Sequence, residues 1–586
     1  MSTCVLWLVV ILCSVTYDVE ASSLSVEQIQ KLEELIRNVV QCRNVPGMAV
    51  ALVRRNETVY TGGFGIRETN SSDAVTDKTL FNLASQSKAF TSTVAADAVA
   101  RGKITWDAPL REVLGPNFRL QDEFRSEEAS LRDLLSHRLG MPSYWGITTS
   151  VMNLTRLQIL ERLKDFPVLY DFRDRYLYSN YLYVAAAAVV ETASCETWED
   201  AVQNRIFKPL GMTASRLSTR LTDGDWDNIA YSADIVQHNK VEQFDEPALL
   251  PIVQELAPAA GVYSNAQDMA KWLRFHLNSG KSEQGHQVVD ADAMRDTYHP
   301  NTAEYSPDLT RDIFPVDDLI YSYAMGWRNG VYRGYRKNLH MAAYNGYQGT
   351  LTFLPDVGVG VWAHLSGAAN NRGYDARNTV TMYSLDLLLG NEIWLNSSTA
   401  CSFPAPWYQD DAAPPAPTVP EYARPSVFIN TTEYIGKYYH PAFGTLEIFD
   451  DDNDDHLLGY RYGELMVGYL KAKGGNREDF IQFMTGPLGI IHVYDDPDGF
   501  NVNFNRDDSG AVESVQFHYF EFSKPPVFTI VEVKPGNNTV VSACAAPSSH
   551  PPSTAGPTSG LSHFRSSKGM VSFFYVNFLL CLKLVV

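Results

Sequence analysis

Phe81-Asn82-Leu83-Ala84-Ser85-Gln86-Ser87-Lys88-Ala89-Phe90-Thr91 is the stretch on which the reading of this chain turns. It opens a segment, Gln86 to Arg101, that is rich in Ala and free of Gly and Pro, and so predicts a helix. A spacing of three places Ser85 and Lys88 on one helix face, one turn apart. A hydroxyl is a poor nucleophile until a base takes its proton, and a buried Lys with a depressed pKa can be that base. Leu83, Ala84, Ala89 and Phe90 supply apolar cover for the pair, and a helix N-terminus favours developing negative charge. A second pattern, Tyr176-Leu177-Tyr178-Ser179-Asn180, precedes an Ala/Val-rich helix predicted over Asn180 to Ala193. A Tyr beside a Lys can shuttle protons, and an Asn amide can hold a substrate carbonyl.

Around these patterns, Ser25 to Gly390 reads as one mixed α/β segment. Met48 to Val53 is a short buried strand with Thr58 to Gly62 as its partner. Thr350 to Pro355 and Gly358 to Leu365 read as an antiparallel pair turning at Pro355-Asp356-Val357-Gly358. Seven prolines between Cys401 and Pro425 predict a stiff linker, drawn at 401–426. Beyond it, short β patterns separated by Gly, Asp and Asn predict a small antiparallel barrel or sandwich over 427–535. Within this region Asp450 to Asp455 lacks the Gly and the bidentate Glu of a calcium loop, Asp455 and Arg461 standing in their places, and reads as a solvated hairpin turn.

The ends carry different signals. An apolar run from Val5 to Val15, then Val19-Glu20-Ala21, predicts a secretory signal peptide over 1–21. At the other end a polar, Pro-rich stalk (545–569) precedes a hydrophobic tail (570–586), interrupted by Asn577 and Lys583. Such a tail is either a GPI-anchor signal or a short membrane segment. Both readings place the protein extracellularly, at a cell surface or in the secretory pathway. Cys42, Cys195, Cys401 and Cys544 remain outside the two ends, and allow one or two disulfides in an oxidising compartment, in any of three pairings. Sequons at Asn56, Asn70, Asn153, Asn396, Asn430 and Asn537 are candidates for glycosylation. The net charge of −20 argues against nucleic-acid binding and against docking on anionic lipid.

Taken in order, Ser85-Gln86-Ser87-Lys88 and Tyr178-Ser179-Asn180 resemble the first two motifs of the serine β-lactamase and penicillin-binding-protein superfamily. Within it the chain is similar to the class C β-lactamase and D-aminopeptidase branch. Pro46 to Val50, Leu134 to Pro142, Phe207 to Met212 and Pro258 to Met269 resemble further segments of that branch, in the same order. The third motif of the family is usually Lys-Thr-Gly or His-x-Gly, with a second Gly near +6 and a Pro-Asp turn about fifteen residues on. His340-Met341-Ala342, with Gly346 and Pro355-Asp356, fits that spacing, with Ala342 in place of the first Gly. Tyr344-Asn345-Gly346 is the competing register. The resemblance implies an α/β (α+β) fold: a β-lactamase/transpeptidase-like domain over 25–400, with an antiparallel sheet and a helical cluster, then a lipocalin-like barrel opening at Tyr434 to Tyr439. It implies a serine hydrolase that forms an acyl-enzyme on Ser85, with Lys88 and Tyr178 sharing the acid and base roles. His340 would be the electrophilic or proton-handling group, and Asn180, Ala343 and Gly346 would line the substrate or oxyanion site. His137 would be structural. No metal or cofactor is implied, and the partner is a small peptide, amide or ester. The alternative is a weak or inactive relative that serves as a scaffold.

Overall fold

The computed structural model describes residues 23–144, 151–236, 240–304, 313–367, 371–407, 430–450, 457–473, 477–490, 500–521 and 524–531. The expected signal peptide, the stalk and the tail lie outside these residues, as do Asn537 and Cys544. One unit runs to Ile530; of the second, Val531–Val586, only Val531 is described.

The first domain is built on an eight-stranded antiparallel sheet. Its strands are β1 (Gly47–Arg54), β2 (Glu57–Gly65), β3 (Thr302–Ala303), β4 (Asp318–Tyr323), β5 (Arg328–Tyr332), β6 (Tyr335–Tyr344), β7 (Tyr347–Leu354) and β8 (Val359–Leu365), in the order β2-β1-β8-β7-β6-β5-β4-β3. The strands expected at Met48 to Val53, Thr350 to Pro355 and Gly358 to Leu365 are β1, β7 and β8 to within a few residues. Strand β1 is buried on both faces because the sheet is covered on both. Met48, Val50 and Leu52 meet α1 (Val26–Cys42) and the helix Asn371–Leu389 on one side, while Ala49, Ala51 and Val53 meet the helical cluster on the other. The alternation is the period-two consequence of the pleat.

The helical cluster holds α2 (Ser87–Ala100) and α3 (Asn180–Ser194) at its centre. Both match the helices expected from their Ala-rich sequences. Each is buried nearly all round, so neither shows the polar face of a surface helix. Phe90 of α2 stacks on Trp272 at 4.0 Å, which ties α2 to the helix beneath the sheet, Ala266–Leu277.

Behind the sheet lie α4 (Asn371–Leu389) and α5 (Ser397–Ser402). A linker was expected from Cys401, but the chain is still folded there. Asn396 caps α5, Cys401 is disulfide-bonded to Cys42 of α1, and Arg43 donates to the carbonyls of Ala400 and Phe403. Trp394, Phe403 and Trp407 pack together just beyond. The Pro-rich composition outweighed these local signals; residues 408–429 lie outside the description. Cys195 is free and exposed. The sequons at Asn56, Asn70, Asn153, Asn396 and Asn430 are all exposed, although the Asn153 amide is bonded to Glu464.

The C-terminal domain is a closed barrel of eight antiparallel strands, from Gly436–His440 to Val527–Ile530, with consecutive strands paired and the last returning to the first. Large side chains such as Tyr438, Leu446, Tyr460, Phe480, Phe504 and Phe517 fill it. The run Asp450 to Asp455 connects two paired strands, where Asp450 opposes Leu458, while 451–456 themselves lie outside the description. The barrel packs on the first domain through Phe443, which meets Tyr144 and Phe166. Glu521 also accepts from Ser143 Oγ and from the Tyr144 N–H.

Candidate active site

Ser85 sits in a single 3-10 turn, Ala84–Gln86, that leads directly into α2. Ala84 immediately before it has φ +45°, a left-handed conformation costly for a residue with a Cβ. Asn82 Oδ1 accepts from the Ala84 N–H at 2.6 Å and holds that turn. The first N–H groups of such a turn have no partner within it. Ser85 is partly exposed, whereas Lys88, three residues on, is fully buried.

Lys88 Nζ has three neighbours: Asn180 Oδ1 at 2.7 Å, the Ala259 carbonyl at 3.1 Å and Ser85 Oγ at 3.2 Å. Burial, and then the charge of Arg328, hold this amine well below the usual Lys value. A neutral amine donates to the two acceptors that cannot donate in return, Asn180 Oδ1 and the Ala259 carbonyl. In its neutral form the amine turns its lone pair to Ser85 Oγ, the third partner. The Tyr178 hydroxyl lies 2.7 Å from the same Oγ, and its ring lies over Lys88 Nζ at 4.7 Å. Ser85, Lys88, Tyr178 and Asn180 therefore form one hydrogen-bonded group. Pro258 and Ala259 shape its floor through their carbonyls, which take Thr91 Oγ1 and Lys88.

His137 lies beneath this group. Its φ is +57°, its Nδ1 accepts from the Ser179 N–H at 3.2 Å, and its ring packs 4.6 Å from that of Tyr178. Burial depresses its pKa far below the ordinary value, so it is a neutral support for the Tyr178 segment.

His340, on β6, is only 1% exposed. Its Nδ1 pairs with the Met341 carbonyl at 2.8 Å and its Nε2 with the Tyr323 hydroxyl at 3.2 Å; Tyr323 in turn lies 3.4 Å from the Tyr183 hydroxyl. Burial, followed by the charge of Arg328, holds the imidazole pKa well below its usual value. It is thus tied to the site through two tyrosines. These tyrosines were not singled out in the sequence, and neither was the buried ion pair of Arg328 with Glu304, 2.9 Å, that supports Tyr176. No spacing rule joins residues so far apart along the chain.

Strand β5 leaves β6 after pairing Arg328 with Leu339, so among the described residues 340–344 have no partner strand on that side. The orientation of this edge follows from Arg377 on α4. Its Nη1 reaches both the Ala342 carbonyl (3.4 Å) and the Gly349 carbonyl (3.3 Å). One nitrogen can do so only if both oxygens lie between β6 and β7, which makes Ala342 and Gly349 a pair exchanging ladder bonds. Alternation then turns the N–H and C=O of Ala343 outward to the open edge. With Asn345 (φ +39°), Gly346 forms the β6–β7 turn at φ +88°, and a Cβ there would stand 2.5 Å from the Ala233 carbonyl. Its glycine serves turn geometry and packing. Among the described residues no group of three or more His, Cys, Asp or Glu side chains could hold a metal ion, and no helix is long and apolar enough to cross a membrane.

Comparison with known proteins gives this geometry a family. The profile of the Beta-lactamase family matches residues 32–383. The chain belongs to that family. Relatives of this Beta-lactamase family chain include the unguisins hydrolase ungD of Aspergillus violaceofuscus, 26% identical over 455 residues, or 73% of this chain and 78% of the relative. Gigasin-6 of Magallana gigas is 27% identical over 266 residues, covering 43% and 85%. The D-aminopeptidase of Brucella anthropi is 27% identical over 256 residues, covering 42% and 45%. Among solved structures, the octameric penicillin-binding protein homologue of Pyrococcus abyssi superposes with a TM-score of 0.52 at 17% identity, over 86% of this chain and all of that one. That likeness is one of fold. The family's fold is therefore present here, as is a closed C-terminal barrel, and its relatives include hydrolases.

Proposed function

We propose that this protein is a serine hydrolase that cleaves small peptides, amides or esters through an acyl-enzyme on Ser85. The observation that carries the reading is the placement of Lys88 Nζ and the Tyr178 hydroxyl 3.2 and 2.7 Å from one Ser85 Oγ, with burial holding the Lys88 pKa well below its usual value. In this mechanism Lys88 takes the Ser85 proton as Oγ adds to the substrate carbonyl. The resulting oxyanion is held between the N–H groups of Ser85 and Ala343. Tyr178 passes the proton to the leaving amine or alcohol, the C–N or C–O bond breaks, and an acyl-Ser85 ester remains. Water then adds to that ester, giving a proton back through the same pair, and Ser85 and the free acid are released. Asn180 holds Lys88 through Oδ1, which leaves its Nδ2 end for a substrate carbonyl. His340 acts as a neutral group that orients Tyr323 and Tyr183 beside the site.

The hydrolase names carried by the unguisins hydrolases and the D-aminopeptidase support the choice of amide substrates. We place the protein extracellularly, tethered by its C-terminal tail, a reading that rests on the two apolar ends and the Cys42–Cys401 disulfide. The test is turnover by purified protein and by Ser85→Ala on a panel of p-nitrophenyl esters, D-aminoacyl amides, short peptides and an unguisin. Hydrolysis lost in Ser85→Ala supports the reading; equal rates in the two proteins overturn it. A wild-type protein inert on every member favours the scaffold instead.

A further inference from the structure

We propose that Gln86 is the brace that sets the gap between the two oxyanion donors, the N–H groups of Ser85 and Ala343, an inference that rests on the hydrolase reading of those residues. Gln86 fills a position of the Ser85 to Lys88 pattern to which no role attaches. It nevertheless closes the turn that carries Ser85, and it is fully buried. Both ends of its amide are engaged: Oε1 accepts from Trp362 Nε1 at 2.9 Å, and Nε2 donates to the His340 carbonyl at 3.4 Å. An indole N–H can only donate, so Trp362 takes the oxygen end of the amide and turns the NH2 end to β6. His340, Leu351 and Trp362 are register partners on β6, β7 and β8, so one amide ties the two outer strands of this row, about 10 Å apart, to the Ser85 turn. Other bonds that hold the turn run elsewhere. Asn82 Oδ1 accepts from the Ala84 N–H, the Leu83 N–H donates to the Val262 carbonyl, and His364 Nε2 of β8 donates to the Asn82 carbonyl. Gln86 joins the turn to β6, which carries Ala343 three residues beyond His340. Ser85 is its chain neighbour, so the Gln86–His340 bond fixes one donor relative to the other. Oxyanion donors work at about 2.7–3.1 Å from the developing charge, and a site about 1 Å too loose fails. Gln86 touches neither substrate nor oxyanion in this account and is a positioning residue.

Full negative charge develops on the substrate oxygen only in the transition state, so a looser gap weakens what is held there more than it weakens substrate binding. In the full chain, Gln86→Met keeps a side chain of similar length and volume and removes both hydrogen bonds. Trp362→Phe removes the indole N–H and leaves the Gln86 amide free to turn either end to β6. Gln86→Met is expected to lower kcat about tenfold with KM changed less than twofold, and Trp362→Phe to lower kcat by less. The carbonyl of a slowly hydrolysed, carbonyl-13C-labelled acyl-enzyme sits between the same two donors, so its infrared difference band reads their gap. That band is expected at higher wavenumber in Gln86→Met than in wild type, and between the two in Trp362→Phe. A wild-type band and a wild-type kcat in Gln86→Met overturn the inference while leaving the hydrolase reading in place. A loss that falls on KM as much as on kcat overturns it as well. If Gln86→Met does not fold, Trp362→Phe decides alone, a raised band supporting the inference and a wild-type band overturning it. If no acyl-enzyme forms even in wild type, the hydrolase reading falls and this inference falls with it.

Discussion

Glu246 is a buried carboxyl outside the candidate site. It is 2% exposed at the start of the helix Glu246–Glu255, and the Ser232 hydroxyl and N–H donate to one of its oxygens. Burial pushes its carboxyl up from 4.5 to about 7. A group whose folded pKa is raised binds its proton more tightly in the folded than in the unfolded state. Its stabilisation is therefore complete below pH 4.5 and is lost as pH rises through 7. The difference of about 2.5 units, at 1.36 kcal/mol each, amounts to about 3 kcal/mol. For a cooperative unit of about 500 residues, that corresponds to a thermal midpoint change of about 3 °C. Glu246→Gln removes the titration and keeps an acceptor for Ser232. The midpoint of the variant minus that of wild type should therefore rise by about 3 °C between pH 4.5 and pH 8, most steeply between 4.5 and 7. Scanning calorimetry across that range checks it. A difference that stays flat, or falls with pH, refutes the reasoning that a buried and nearly unpaired carboxyl is held protonated there.

Three other outcomes follow from the same geometry. The Cys42–Cys401 disulfide closes a loop of 359 residues, so the Cys42→Ser/Cys401→Ser protein should lose about 6 kcal/mol of stability in the chain-entropy account; a thermal midpoint within 1 °C of wild type in non-reducing buffer would contradict this. Gly346→Ala should destabilise by ~1–3 kcal/mol, because φ is +88° and the added Cβ meets the Ala233 carbonyl; denaturant unfolding midpoints measure it. His340→Ala should lower kcat/KM about tenfold, yet leave the position of the acidic limb of the pH profile where wild type has it, since burial keeps His340 neutral and the limb belongs to Lys88. A limb that disappears in His340→Ala would assign the titration to the imidazole.

Much of this arrangement is legible in the sequence because its parts are local. Ser85 and Lys88 share a helix turn, Tyr178 and Asn180 share the next helix start, and β1, β7 and β8 announce themselves as short apolar runs. Burial on both faces removed the alternation that marks an exposed strand, but flanking turns such as Pro355 to Gly358 marked the ends. What the sequence hides is long-range. Arg328 and Glu304, Tyr183 and Tyr323, and Arg377 and the Ala342 carbonyl meet only through the sheet, and no periodicity links them. Gly346 was read as a substrate contact because its spacing from His340 matched a motif; its φ and its closeness to Ala233 give it a turn role that the spacing does not reveal. The linker was drawn too early because prolines at 404 and 406 looked like a break, while the cap at Asn396 and the disulfide hold that segment on α1. His340 lies on β6 with both ring nitrogens engaged inside the protein.

A covalent bond at Ser85 is what separates an acyl-enzyme hydrolase from every alternative. Purified protein should be quenched within the first turnovers on a slowly deacylating ester, then weighed intact and mapped by peptide mass. One acyl group per chain, on the peptide containing Ser85, is the expected result. The adduct should be absent in Ser85→Ala, and its formation should slow by ~10²-fold or more in Lys88→Ala and in Tyr178→Phe. Steady hydrolysis with no adduct on Ser85, or an adduct that persists on the Ser85→Ala chain, would contradict it.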